Sequence, residues 1–453
     1  MARESIAGLI AQLYGARISR REFARRAGVA GLSAGLVGNV LAAHAAKAQD
    51  LPPAATIGTP GSEHSTDTSK GTIKLYSSWP FTGTMEILGT HAIEASRMCL
   101  EDFGVAAGGY AIDYEPLDGG VAANEGKWEP GKETENVNTA VNDPECMVYL
   151  GTYNSGAAAI SIPITNVAGM AQISFANTYP GLTTSFEGAT EEGEPDLFYP
   201  SGTRNYMRVC PADHIQGGAS ARWARAQGKE KAYILHDKSL YGQGVANVFA
   251  LVFEEEGGEV LGNEGFDASF EDYQSVMQGI ADLGPDILYV GSTSDNNASK
   301  VLQDMRGVMS AEDVVFLGPD GLNNQAFLDG AADAAEGAYI TFAGYTADKL
   351  LEGGGPGADY VTRISERLGL SEGDAPDAYA LYAYESMVVT LQAIDRAGVN
   401  DRAEILNQMW NTEGFVSLMG TTWSFNDEGD TDSTIIGLAQ VIDGRITWVE
   451  AIS

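Results

Sequence analysis

The chain has 453 residues, with 62 Asp and Glu against 27 Lys and Arg, for a formal net charge of −35. A body of that sign repels phosphate backbones, which excludes nucleic acid as a partner. Three cysteines, Cys99, Cys146 and Cys210, stand far apart and form no CxxC; this argues against a metal or redox motif and favours buried apolar thiols.

In chain order, the first feature is a targeting segment. Ser19-Arg20-Arg21-Glu22-Phe23 precedes an Ala-, Gly- and Leu-rich stretch from Ala27 to Ala46 without a charge, and Ala46-Lys47-Ala48 has a small-x-small form. Basic, apolar and small residues in that order read as an export signal over residues 1–48, and the Arg pair resembles the twin-arginine (Tat) type. An uncleaved membrane anchor is the alternative, although Ala and Gly make the stretch weakly apolar. No Cys lies near the cleavage point, against lipid attachment there. About 400 residues remain, too many for one core, so two lobes are expected. Residues 49–70 are rich in Pro, Ser, Thr and Gly, and are expected to be a disordered linker. Thr184 to Asp196, with five acids and no base, reads as a solvated insertion.

From residue 71, strands and helices alternate. Strands are expected at 73–76, 110–117, 146–150, 169–175, 232–235, 287–290 and 314–317. Helices are expected at 85–103, 132–141, from 155, and at 241–256, 272–283 and 296–306. That rhythm implies parallel sheets covered on both faces. The tail differs: 435–442 and 445–449 flank Asp443-Gly444, a type I′ hairpin signal. Ligands in such folds bind at the carboxyl ends of strands.

Several motifs fail on inspection. Gly126 to Lys132 has most of a P-loop spacing, but Glu133 stands where Ser or Thr is needed, and a surface loop is the better reading. Gly-x-Ser-x-Gly occurs at Gly31 to Gly35, inside the export segment, and at Gly369 to Gly373, and neither follows an expected strand as a nucleophile elbow does. The histidines after residue 48 (His64, His91, His214, His236) have no metal-ligand spacing, and His236-Asp237 reads as a structural pair. An enzyme, a cofactor and a metal are not expected.

Polar and aromatic residues collect at expected strand ends. Ser77 to Gly83 includes Trp79; Gly151 to Gly156 includes Tyr153 and Ser155; Ser174 to Thr178 includes Asn177. Ser155 is placed to cap the helix it begins, where free N–H groups and the helix dipole favour a small anion such as a carboxylate. Asp320 in Gly318-Pro319-Asp320-Gly321 puts an acid just past a strand, and Tyr241 opens a helix after another. Trp79, Tyr153 and Tyr241 are candidate pocket walls or core residues.

Together, His236-Asp237-Lys238 with Tyr241-Gly242-Gln243-Gly244, Gly318-Pro319-Asp320-Gly321, and the weaker Thr82-Gly83, Gly151 to Ser155 and Tyr379 to Glu385 resemble type I periplasmic solute-binding proteins of ABC transporters, in the leucine/isoleucine/valine-binding branch. The resemblance covers about residues 71–450. It implies an α/β fold of two doubly wound lobes joined by three hinge crossovers. Lobe 1 is then about 71–209 plus 343–420, and lobe 2 about 210–342 plus 421–453. It also implies that Ser155 and Thr178, with Asn177 beside it, meet a ligand carboxylate, and that Asp320 meets an ammonium. The implied role is the binding component of an importer for a branched-chain or similar amino acid, monomeric and partnered by a membrane permease. Three departures touch ligand identity: the acid at 320 is Asp where relatives often have Glu, Leu88 stands where an aromatic is expected, and bulky Trp79-Pro80-Phe81 fills the first loop. An amide- or urea-type binder and a membrane-tethered sensory receptor are the alternatives.

Overall fold

The computed structural model of the chain describes residues 57–371 and 373–453. The export signal and the first part of the expected linker lie outside the described residues. Six strands form the first sheet: β1 (Thr72–Trp79), β2 (Ala106–Ala107), β3 (Tyr110–Asp118), β4 (Cys146–Gly151), β5 (Ala171–Ser174) and β6 (Tyr206–Arg208). Their order is β2-β3-β1-β4-β5-β6, parallel except for the short β2–β3 pair. The second sheet holds β7 (Lys231–His236), β8 (Glu259–Gly265), β9 (Ile287–Gly291), β10 (Val315–Gly318) and β11 (Tyr339–Phe342). The hairpin strands β14 (Ile436–Ile442) and β15 (Arg445–Ile452) complete it, in the order β15-β14-β11-β10-β9-β7-β8. A small pair, β12 (Phe415–Val416) and β13 (Thr422–Trp423), stands apart.

These strands form where the sequence is continuously apolar. Every residue of β4 and of β9 is buried, as expected of strands covered by helices on both faces. The hairpin turn has positive φ at both Asp443 (52°) and Gly444 (72°), the geometry its sequence calls for. Cys99, Cys146 and Cys210 are free and buried. The crossover helices that matter for the site are α1 (Glu86–Asp102), α2 (Pro130–Asn142), α3 (Ser155–Val167), α4 (Asp213–Ala226) and α5 (Leu240–Glu255). Among the described residues, no helix is long and apolar enough to cross a membrane.

The chain passes between the sheets three times: after β6, after β11, and between β13 and β14. The second return brings the helix Tyr379–Ala397 against α1 in the first core, where it is buried on every side from Tyr379 to Ile394. Trp423 of β13 belongs to that same core. Two crossovers are tied together by a buried ion pair. Arg208 Nε meets Asp430 Oδ1 at 2.6 Å, and the Arg208 N–H donates to the Gly429 carbonyl at 2.9 Å. The guanidinium also donates to the Tyr179 carbonyl (2.8 Å) and to Thr183 Oγ1.

Two expectations need correction. Residues 57–70 are not a free linker. Ile57 is buried in the first core, Gly58 pairs with Val416, and the Thr59 N–H donates to Gln392 Oε1 at 2.8 Å. His64 Nδ1 lies 2.6 Å from Asp395 Oδ2, and Lys70 Nζ donates to the Gly108 and Gly398 carbonyls. A few anchoring side chains order a segment whose composition suggests none. The acidic stretch from Thr184 is likewise only partly solvated. Ala189 is buried against the second sheet's helices, and Glu194 Oε2 accepts from the Tyr179 hydroxyl at 2.6 Å.

Candidate functional site

The carboxyl ends of β4 and β5 face those of β7, β9 and β10, and between them lies a cavity of about 30 Å³. That is room for roughly one water. Ser155, Gly156, Tyr153 and Ala176 line it from the first lobe, and Tyr241, Asp320 and Gly321 from the second.

Ser155 is the first residue of α3. The cap position is Asn154, whose side chain makes no capping bond. This corrects the expectation that Ser155 caps the helix. The Thr152 hydroxyl donates to the Asn154 carbonyl at 2.7 Å and fixes the turn one residue earlier. Ser155 Oγ instead accepts from the Tyr179 N–H at 3.3 Å. The Ala157 and Ala158 N–H groups bond back to Asn154. The preceding Ser155 and Gly156 amides belong to the unpaired first turn, at the positive end of the helix dipole.

Asp320, only 3% exposed, follows β10. Its Oδ1 accepts from Gln216 Nε2 and from the Tyr241 hydroxyl (2.8 Å), and its Oδ2 accepts from the Tyr379 hydroxyl. Tyr379 comes from the first lobe, so this carboxylate joins the two. The Tyr241 oxygen also accepts from the Gly321 N–H at 2.9 Å. Burial pushes the Asp320 carboxyl up to about 6, against the lowering effect of the Gln216 and Tyr241 donors. Asp213, the first residue of α4, lies close by. It is fully buried and, among the described residues, neither of its carboxylate oxygens has a partner. Burial and then the charge of Asp320 push it well above the ordinary range.

The candidates divide. Ser155, Tyr153, Tyr241 and Asp320 line the cavity. Thr178 is buried behind it, with its carbonyl accepting from the Asp213 N–H at 2.8 Å and its hydroxyl unpartnered among the described residues. Asn177 and Trp79 do not reach it. Asn177 is a brace: Nδ2 donates to the Tyr153 carbonyl (2.8 Å) and Oδ1 accepts from the Tyr206 hydroxyl (3.1 Å). Trp79 is core, its ring edge-on to Phe175 with centroids 4.8 Å apart.

Sequence reasoning missed Trp128, Ser239, Thr293 and Asn296, which also line the cavity. Trp128 sits in the stretch weighed as a phosphate loop, held by a bridge to Gly120. Its indole lies against Gly156, where a Cβ would come within 2.6 Å of Cζ2. Glu133, in the same stretch, is buried rather than on a surface loop. It accepts from Ser78 Oγ (2.7 Å) and the Tyr149 hydroxyl (2.8 Å). His236-Asp237 is structural, as expected. Asp237 Oδ1 accepts from the Ser239 hydroxyl (2.6 Å), and Oδ2 from Asn296 Nδ2 (2.8 Å) and Ser292 Oγ (3.1 Å).

Two facing lobes with polar strand ends around buried acids are compatible with solute binding, and a family comparison agrees. The model of the periplasmic binding protein family matches residues 72–445. The chain belongs to that family.

As a periplasmic binding protein it has distant relatives. Leu/Ile/Val-binding protein homolog 1 of Brucella abortus (strain 2308) is 24% identical over 282 residues, which is 62% of this chain and 68% of the relative. The leucine-, isoleucine-, valine-, threonine-, and alanine-binding protein of Pseudomonas aeruginosa is 22% identical over 79% of this chain and 87% of its own length. Among solved structures, a leucine binding protein LivK from Thermotoga maritima superposes with a TM-score of 0.72 at 21% identity, over 84% of this chain and 99% of that one. A solute binding protein from R. palustris in complex with benzoate gives 0.69 at 20% identity, over 84% and 96%. The fold is that of the type I binding proteins, and these relatives are named for binding rather than for catalysis.

Proposed function

We propose that this periplasmic binding protein is the extracytoplasmic receptor of an ABC importer and captures an α-amino acid, of the branched-chain or a similar class, between two closing lobes. The supporting observation is the pairing across the cavity. The start of α3, with the Ser155 and Gly156 amides, opposes the buried Asp320 carboxylate on the other lobe. A zwitterion matches that pairing. Its carboxylate docks on lobe 1 at Ser155, with Thr178 behind, and its ammonium meets Asp320 as lobe 2 swings in. Tyr153 and Tyr241 wall the ligand. Lobe 1 is then residues 57–209 with 343–423, and lobe 2 the remainder of the described chain. A permease reads the closed form, and the N-terminal segment exports the chain.

Calorimetric titration of the full-length chain with amino acids, amides and urea, beside Asp320→Ala, tests this. Loss of the ammonium's partner in a buried site costs on the order of 3–5 kcal/mol, so Asp320→Ala should abolish amino-acid binding. Amino-acid binding indifferent to Asp320, or binding of amides and urea alone, would remove the ammonium role and move the protein to another solute class.

A further inference from the structure

The cavity has a far end, and the sheet order gives its distance from Asp320. Asp320 follows β10, Thr293 and Asn296 follow β9, and Ser239 follows β7, three strands that are neighbours in the order β10-β9-β7. Neighbouring strands lie about 4.8 Å apart. The wall therefore runs roughly 5–10 Å from the Asp320 carboxylate to the Ser239 hydroxyl, about the reach of an amino-acid side chain. From the other lobe, Trp128 lines the cavity, its indole against Gly156.

This end is polar. Of the described residues that line the cavity, Ala176 contributes the sole aliphatic side chain; no Leu, Ile, Val or Met is among them. Asn296 Nδ2 is spent on Asp237 Oδ2 (2.8 Å) and Thr293 Oγ1 (3.2 Å), and no donor among the described residues reaches its Oδ1. A methyl-ended side chain here would strip water from Asn296 Oδ1 and give it nothing in exchange. A hydrogen-bond donor would pair with it.

We propose that the captured amino acid carries a side chain ending in an uncharged hydrogen-bond donor, a hydroxyl or a carboxamide, and that Asn296 accepts from it, with Thr293 holding the Asn296 amide in place. This rests on the amino-acid reading of the site and narrows it. Near-isosteric pairs test it: calorimetric titrations of the full-length chain with threonine against valine, and asparagine and glutamine against leucine, with alanine as the head-group reference. The polar member of at least one pair should bind tighter by about tenfold or more, because a site built to bond a hydroxyl or amide rejects the analogue that lacks it. Asn296→Leu should erase or invert that ratio. Asn296 also supports Asp237, so Thr293→Val serves as a second variant and should shrink the same ratio. Valine binding tighter than threonine, together with leucine tighter than both amides, overturns the proposal while the receptor reading stands. A chain that binds alanine no better than its Asp320→Ala variant, and binds none of the others, overturns the receptor reading and this proposal with it.

Discussion

Asp320 carries more claims than any other side chain described. Three donors from three different helical segments converge on it, yet burial still lifts its carboxyl to about 6. An ammonium ligand needs the ionised form. Affinity should therefore hold above pH 6 and weaken by up to tenfold for each unit below it; titrations at pH 7.5 and 5.0 should differ by about tenfold. Stability should run the other way. Burial lifts Glu133 to about 8, and Asp377 and Glu385 to about 7. Each is raised, so between its unfolded and folded values the native state holds a proton that the unfolded chain has released. Their contribution is complete below about pH 4 and is lost as pH rises through 6–8. The urea midpoint should fall from pH 5 to pH 8.5, and Glu133→Gln should flatten that slope by more than about 1 kcal/mol. Of these acids, Asp320 was legible because it follows an apolar strand in a turn. Asp213 was not, since an acid in the first turn of a helix is ordinary, and only the fold reveals that it is buried.

At the scale of elements, the apolar runs of the parallel strands were easy to read, and so was the Asp443-Gly444 hairpin, because burial on two faces and positive φ leave direct marks in the sequence. Features made by contact across long separations were not. The helix Tyr379–Ala397 is buried all round, so it shows no amphipathic stripe. The strap of residues 57–70 is polar along most of its length and is held largely by one acid on that helix. Asp395 accepts from His64, from the Ser65 N–H (3.3 Å) and from the Gly108 N–H (2.6 Å). Asp395→Ala should lower stability by about 1–3 kcal/mol and expose the bonds between 57 and 70 to limited proteolysis. Trp128 escaped notice because the loop that bears it invites a phosphate-binding reading, and its partner Gly156 lies on a different element.

For the whole molecule the question is how closely the lobes meet. Tyr179 of the first lobe packs on Gly244 of α5 in the second, where a Cβ would stand 2.5 Å from the ring. Gly244 is thus a contact point between the lobes. Gly244→Ala should wedge the lobes apart and leave each core intact. Small-angle scattering should then give a larger radius of gyration, with affinity reduced by about 1–3 kcal/mol and the unfolding midpoint nearly unchanged. The crossovers resist such opening as a set, because the Arg208–Asp430 pair ties two of them together.

The Tyr379 hydroxyl holds the lobes together through the same carboxylate that is proposed to receive the ligand. Capture is then a substitution on Asp320, with one donor leaving as another arrives. Affinity reports the difference between a tyrosine and an ammonium rather than the full strength of either bond. The rate has a ceiling as well: once solute is abundant, the frequency with which the tyrosine lets go sets the pace of uptake.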